Sequence, residues 1–477
     1  MAISAANAVS ELKLALPGQN KVISPDAASE YEENVARPWS QTCWTSAAGY
    51  VFLSNTQELT KALEIVKKSG SKFTIRTTGH NPNYGFSSAD ETSVVLDIRQ
   101  LSSKELSLDK TVAQVGSGST WGEVYTWLEE QKLSAIGGRD QDVGIGGFLL
   151  GGGMGALPNL HGLGADGIKN FEVLLADGQL INSNSKENSD LYRALKGGGS
   201  NFGIVTRFDL ETHPLINIQY TINLYKAESY IEIIKATIAV QEAMEADPKI
   251  GLFTNFNNGF VAVGLFYADT PVERPSAFKP FDKLDQESLM MAAVPTTNGT
   301  ILSLARAMGM FFQKLIYDRR FVGSVTTGFS QDLYEEIHKL WTETCKSLPA
   351  DHVLHYTIQP FGKGGLQAGK DRGGNIMGHE DAPQCWWVFT CEWPNEGNDD
   401  AAKKAVDTMI ETVQSLAKER ELLLNFQCMS FASCSQKVLG SYGAENVKKM
   451  QEVAAKYDPE GVFQRLQYGG FLLRDNV

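Results

Sequence analysis

The hexapeptide Arg76-Thr77-Thr78-Gly79-His80-Asn81 joins residue types that hold a phosphate to a histidine. Glycine lets the backbone turn tightly and approach a ligand. Successive N–H groups beside short hydroxyl side chains form an anion-binding concavity. The same six residues also suit an ordinary strand-to-turn junction. A second cluster runs Val143-Gly144-Ile145-Gly146-Gly147 and then Gly151-Gly152-Gly153-Met154-Gly155. A buried segment so poor in side chains loses entropy on folding without packing in return. Close approach of the backbone to a flat or phosphorylated ligand explains it better. Part of it matches the dinucleotide fingerprint G-x-G-x-x-G, but Leu149 takes the last glycine position counted from Gly144. No acidic residue follows at a strand end about 20 residues on, which argues against a nicotinamide dinucleotide. The third cluster, Gly197-Gly198-Gly199-Ser200-Asn201-Phe202-Gly203-Ile204, is a glycine-rich loop entering a strand.

These clusters must be held by regular elements. Leu59, Leu63 and Val66 share one side of a helix over 56–69. Strands are predicted at 72–78, running into Gly79-His80, and at 94–98 and 112–115, with a helix over 121–131. Residues 171–180 read as a strand, an Asp177-Gly178 hairpin turn and the start of a second strand. Another strand covers 202–211. Beyond His213-Pro214 the pattern changes: strands at 216–225, 250–256, 259–269, 324–329, 352–361 and 385–393 alternate with helices at 229–246, 331–346 and 400–419. This is an α+β pattern, an antiparallel sheet backed by helices on one face. Loops are expected at 362–381 and 394–399, and a helix at 445–456.

A chain of 477 residues is too long for one ordinary core and predicts two domains. Its formal net charge of -13, without a basic run, argues against nucleic acid or an anionic membrane surface as partner. It gives no electrostatic reason for a highly anionic substrate. The six cysteines form no C-x-x-C pair and no zinc spacing, and read as free buried thiols with no metal site. No apolar run reaches the ~20 residues of a membrane span. The N-terminus lacks a basic, apolar leader pattern, so a cytoplasmic location is expected unless a leader has been removed.

The three clusters, in order and spacing, resemble the berberine-bridge-enzyme-like FAD-linked oxidases of the vanillyl-alcohol-oxidase fold. The resemblance is carried by RTTGHN at 76–81, VGIGGFLLGGGMG at 143–155, LGADGIKNFEVLLADG at 163–178, the segment 190–214 and the segment 442–471. It implies an FAD-binding region of two α/β lobes at 1–212, completed by 425–477, around a substrate-binding domain at 213–424. It further implies that the loop holding Arg76, Thr77, Thr78, Gly79 and Asn81 binds the FAD pyrophosphate, with His80 bonded to the flavin C8 methyl. Such a link fixes the ring and withdraws electron density, favouring hydride acceptance. Ser87, Gly144, Gly147, Gly152, Leu163, Asp166 and Ile204 match cofactor-contacting positions. Val143 matches a position that gates oxygen, so O2 is the expected electron acceptor. Relatives with a second flavin link have a cysteine where this chain has Asp140. An aspartate forms no thioether, so a single covalent bond is expected. Its carboxylate either serves the structure or acts on substrate protons.

The family's catalytic tyrosine does not carry over, because Ser430-Phe431 stands where relatives have Asn-Tyr. The predicted strand at 352–361 supplies other candidates for a general base: His352 and Tyr356 on one face, His355 with Gln359 on the other. One face is expected to look toward the flavin. Trp386, Trp387 and Trp393 are expected in core packing more than in a pocket wall. The expected reaction is hydride transfer to flavin from a C–H next to oxygen or nitrogen of a small molecule, a specialised metabolite, with release of hydrogen peroxide. The alternatives are a redox-neutral flavoprotein cyclase or isomerase and a non-catalytic flavin-binding protein.

Overall fold

The computed structural model describes residues 2–18, 20–312, 319–394 and 396–477. Residue 395, within the loop expected at 394–399, lies outside them.

The N-terminal part builds two small sheets. In the first, Gly49–Phe52, Ser93–Asp97 and Lys72–Arg76 run parallel, and Val22–Ile23 adds an antiparallel edge. The helices Ala2–Ala15 and Thr56–Ser69 cover it. The second of these starts where Asn55 accepts the Glu58 N–H at 2.9 Å and stops at Gly70, whose φ of +64° suits glycine. It buries Leu59, Ala62, Leu63, Ile65 and Val66, which widens the predicted stripe. The second sheet is antiparallel, ordered Lys104–Leu106, Val112–Gly116, Ile204–Glu211, Ile168–Leu174 and Leu180–Asn184.

The middle of the chain forms an eight-stranded sheet, every described pairing antiparallel. Its order is Leu289–Thr300, Asn217–Lys226, Phe260–Tyr267, Ile250–Asn257, Val353–Phe361, Gln384–Trp393, Arg319–Thr327 and Leu423–Leu424. Tyr230–Ala243, Gln331–Lys346 and Asp399–Glu419 pack on one face and form a core with Tyr334, Trp341, Tyr356, Trp387 and Trp393. The other face looks toward the N-terminal sheets. Among the elements not predicted are three of this middle region. The edge strand Leu289–Thr300 and the helix Ile301–Phe312 follow one another without a turn residue. The helix Lys363–Asp371 occupies part of the loop expected at 362–381, its glycines packing against Pro158, Asn159 and Asp166. Tertiary contact overrides the local glycine signal there.

The end of the chain returns to the N-terminal sheets. Ala444–Tyr457 packs on the helix Ser189–Leu195. Phe73 donates to Leu466 O at 2.9 Å and accepts from Tyr468 N at 2.7 Å, and Val462 and Phe463 enter the core of the first sheet. All six cysteines are free thiols, as expected, but Cys345 is only half-buried and Cys434 is exposed. No helix among the described residues is long and apolar enough to cross a membrane.

Candidate active site

A cavity of about 520 Å³ lies where the three sheets meet. The first wall is the loop after Lys72–Arg76, which contributes Thr77, Thr78, Gly79, His80 and Asn81. Gly79 has φ +76°, and a Cβ there would stand 3.3 Å from Pro38 Cα. Only glycine turns the chain so tightly at that distance. The second wall is the segment around Val143, Gly144, Gly146 and Gly147. The two are tied together, since Gly144 N–H donates to Thr78 Oγ1 at 3.1 Å. A Cβ on Gly144 would lie 2.9 Å from that same Oγ1, whereas one on Gly147 would meet nothing within 4 Å and would project into open space. Ser87, Gly199, Ser200 and Ile204 complete this side. The hydroxyls of Ser87 and Ser117, both in the wall, are buried without a hydrogen-bond partner. Buried polar groups are rarely left so, and a polar ligand would satisfy them.

Four residues expected to touch the cofactor stand behind this wall instead. Arg76 is fully buried, donates to Ser87 O at 2.8 Å and Asn34 O at 2.9 Å, and lies over the Tyr50 ring. It braces the loop from behind. Asp166 accepts from Leu163 N at 2.9 Å and Asn375 Nδ2 at 3.0 Å, and burial raises its pKa. Gly152 accepts from Ala165 N at 2.9 Å and backs onto Met377. Together Gly152, Leu163 and Asp166 clamp the end of the glycine segment without lining the cavity.

His80 stacks on Trp39, centroids 4.6 Å apart and 12° from parallel. Burial, and to a lesser degree the Arg320 charge, lowers its pKa to about 4, so the imidazole is neutral at pH 7. Asp140 also lines the cavity. Burial raises its pKa, and its Oδ1 accepts from Asp142 N at 2.9 Å.

The opposite wall is the open face of the large sheet. Strand alternation places His355, Thr357 and Gln359 on it, opposite Thr390, Val388 and Trp386 in register. His355 lines the cavity; His352 and Tyr356 do not, and are withdrawn as candidates for the base. His352 precedes the strand and stacks on Trp393, its Nδ1 2.9 Å from Asp351 Oδ1. Tyr356 is fully buried on the helix side, stacked on Phe256 and bonded to His338 Nδ1 at 2.9 Å. Trp387 and Trp393 also pack there, and Trp386 packs with Phe361 and Phe426. Ser430 and Phe431 line the cavity from the C-terminal segment.

Sequence reasoning missed Glu392. It is buried, and Arg320 donates to its Oε1 at 2.7 Å while the Arg320 guanidinium lies over the Trp39 ring. Its Oε2 has no partner and stands 3.8 Å from His355 Nε2, which has none either. His355 Nδ1 lies 3.1 Å from Asn255 Nδ2. With that amide donating, the ring proton is assigned to Nε2. Burial lowers the His355 pKa, so the ring is neutral at pH 7. A single acidic residue inside the apolar run WWVFTCEW was the available signal.

A family model described as an FAD binding domain matches residues 47–184. An FAD-dependent monooxygenase of Arthrobotrys oligospora is 35% identical over 436 residues, which cover 91% of this chain and 84% of that protein. One of Penicillium terrestre is 32% identical, covering 94% and 86%. Among solved structures, the glucooligosaccharide oxidase of Acremonium strictum superposes with a TM-score of 0.80 at 18% identity, covering 96% of this chain and 97% of that one. The flavin of that oxidase is described as a 6-S-cysteinyl, 8α-N1-histidyl FAD.

Proposed function

Because this chain belongs to a family of FAD-dependent oxidoreductases, we propose that its cavity oxidises a small alcohol, a specialised metabolite, with O2 as final acceptor. The observation that carries the reading is the unpartnered pair of His355 Nε2 and Glu392 Oε2, facing the glycine-lined wall. Bound FAD supplies a two-electron acceptor for hydride. The chain does the rest. A substrate hydroxyl between the two orphaned atoms accepts from His355 Nε2–H and gives its proton to Glu392 Oε2. Asn255 fixes the imidazole, and Arg320 fixes the carboxylate. As the C–H hydride leaves, the oxygen becomes a carbonyl, and O2 takes the two electrons and two protons as hydrogen peroxide.

His80 is proposed as the single covalent anchor. Its neutral imidazole would hold the flavin through the C8 methyl group, an oxidative attachment for which O2 would be the two-electron acceptor. The glycine at position 79 and the ring of Trp39 set its direction. Asp140, where a thioether partner would stand, leaves the anchor single, and Val143 is the proposed oxygen gate. The orphaned Ser87 and Ser117 hydroxyls and the open space before Gly147 fit a flat, polar-edged group.

The name shared by the two relatives favours a second reading, in which one atom of O2 enters the product. Product mass under labelled O2 separates the readings. Loss of two hydrogens supports the oxidase, label in the product supports monooxygenation, and an unchanged mass supports a cyclase or isomerase. The first experiment is an anaerobic panel of alcohols watched for flavin bleaching. A flavin that no alcohol reduces would refute the proposed oxidation. Acid-precipitated wild-type protein should stay yellow and His80→Ala should lose its colour; a colourless wild-type pellet removes the covalent anchor.

A further inference from the structure

One charged group in the cavity wall is not used by the chemistry above. Arg139 lies in the glycine-rich segment, yet its side chain reaches across to the large sheet, where its N–H donates to Gln359 Oε1. No carboxylate pairs with it among the described residues. Asp140, its neighbour in sequence, is turned elsewhere: its Oδ1 takes the Asp142 N–H and would lie 3.3 Å from a Cβ on Gly309, in the helix Ile301–Phe312. Cys428, the one titratable group that bears on it, is held as a neutral thiol, its pKa raised by burial to about 12. Arg320 offers the contrast, because Glu392 compensates it at 2.7 Å. Burial lowers the Arg139 pKa to about 10, which leaves the guanidinium charged at pH 7.

A half-buried charge without a counter-charge is costly, and such charges are as a rule paired. A guanidinium also presents planar donors suited to a carboxylate or an anionic oxygen. We propose that Arg139 binds an acidic oxygen of the substrate, a carboxylate, phenolate or enolate, with Gln359 holding the guanidinium in place. The proposal rests on the flavoenzyme reading above and narrows its substrate class. Gln359 and His355 share one strand face four residues apart, which is about 13 Å of extended chain. The acidic oxygen is therefore held at the far end of the wall from the proton acceptor. That separation suits an elongated molecule with an acidic group at one end and the reacting hydroxyl toward the other. Selection is by this one cation and is compatible with the acidic charge of the whole chain.

The test uses flavin-loaded protein and two probes of nearly the same shape, benzoate and benzamide, titrated by perturbation of the flavin spectrum. Wild type should bind benzoate at least tenfold more tightly than benzamide. Arg139→Met should bring benzoate down to the benzamide level, and Arg139→Lys should keep most of the preference. Arg139→Gln replaces the methionine variant if that protein does not fold. Equal or absent binding of the two probes by wild type, or an undiminished preference without the charge, overturns the proposal. A wild-type preparation that takes up no flavin removes the flavoenzyme reading itself, and is told apart by its missing visible band.

Discussion

His355 Nε2 and Glu392 Oε2 lie 3.8 Å apart in the cavity wall, a donor and an acceptor neither of which has a hydrogen-bond partner. At the scale of single residues this arrangement makes a specific prediction. His355→Gln and Glu392→Gln should each lower the rate of flavin reduction by roughly 10²–10⁴, the usual size of a general-base contribution. Flavin content should stay at the wild-type level, since neither residue is in the glycine-lined wall. Stopped-flow reduction measures this, and a change of less than threefold in both variants contradicts the role. His355 was legible in the sequence as one of three candidates on a strand. Its choice over His352 and Tyr356 needed to know which face of the sheet meets the cavity. Glu392 was overlooked because its partner lies on the neighbouring strand, displaced by the register Val353 to Glu392.

At the scale of elements, the cradle is two backbone segments that approach each other because neither carries bulk where they meet. Gly144 cannot gain a Cβ without striking Thr78, but Gly147 can, because its Cβ would point into the cavity. Gly147→Leu should therefore fold with a thermal midpoint near that of apo wild type and bind FAD at least tenfold more weakly. Equilibrium titration with FAD after refolding measures it, and unimpaired uptake would show that the ligand does not lie against this segment. The glycine clusters were visible without a structure because glycine density is a local property of the chain. The residues that brace them were expected to touch the cofactor. Arg76, Gly152, Leu163 and Asp166 belong to the same motifs, but their side chains or neighbours point to the back of the wall. A motif names a segment and does not say which of its side chains faces the ligand.

At the scale of the whole molecule, burial controls the histidines. Six of the seven have pKa values lowered mainly by burial, with His338 at about 4 and His379 at about 3. A folded-state value below the unfolded value of about 6.5 means that the unfolded chain takes up protons first on acidification. Stability is thus full above pH 6.5 and declines as pH falls toward 4. His338 and His379, both away from the cavity, each account for roughly 2 kcal/mol at pH 5. The midpoint should fall by on the order of 4 °C between pH 7 and pH 5 from these two alone. His379→Phe should lessen the fall, since that ring sits among Phe361, Trp386 and Phe426 with its Nε2 unpartnered. Differential scanning at several pH values measures it, and identical slopes for the variant and wild type would count against the burial argument.

Taken alone, the order of residues determined the α+β class, most strands of the large sheet and the glycine clusters. Each of these is written in short stretches of chain, as periodicity, turn residues or glycine density. Which side chains share the cavity was decided only by tertiary structure. Strand register, the choice of sheet face and the absence, among the described residues, of a counter-charge for Arg139 arise between segments hundreds of residues apart. The energy of a buried group depends on what surrounds it, and no local stretch of sequence contains its surroundings.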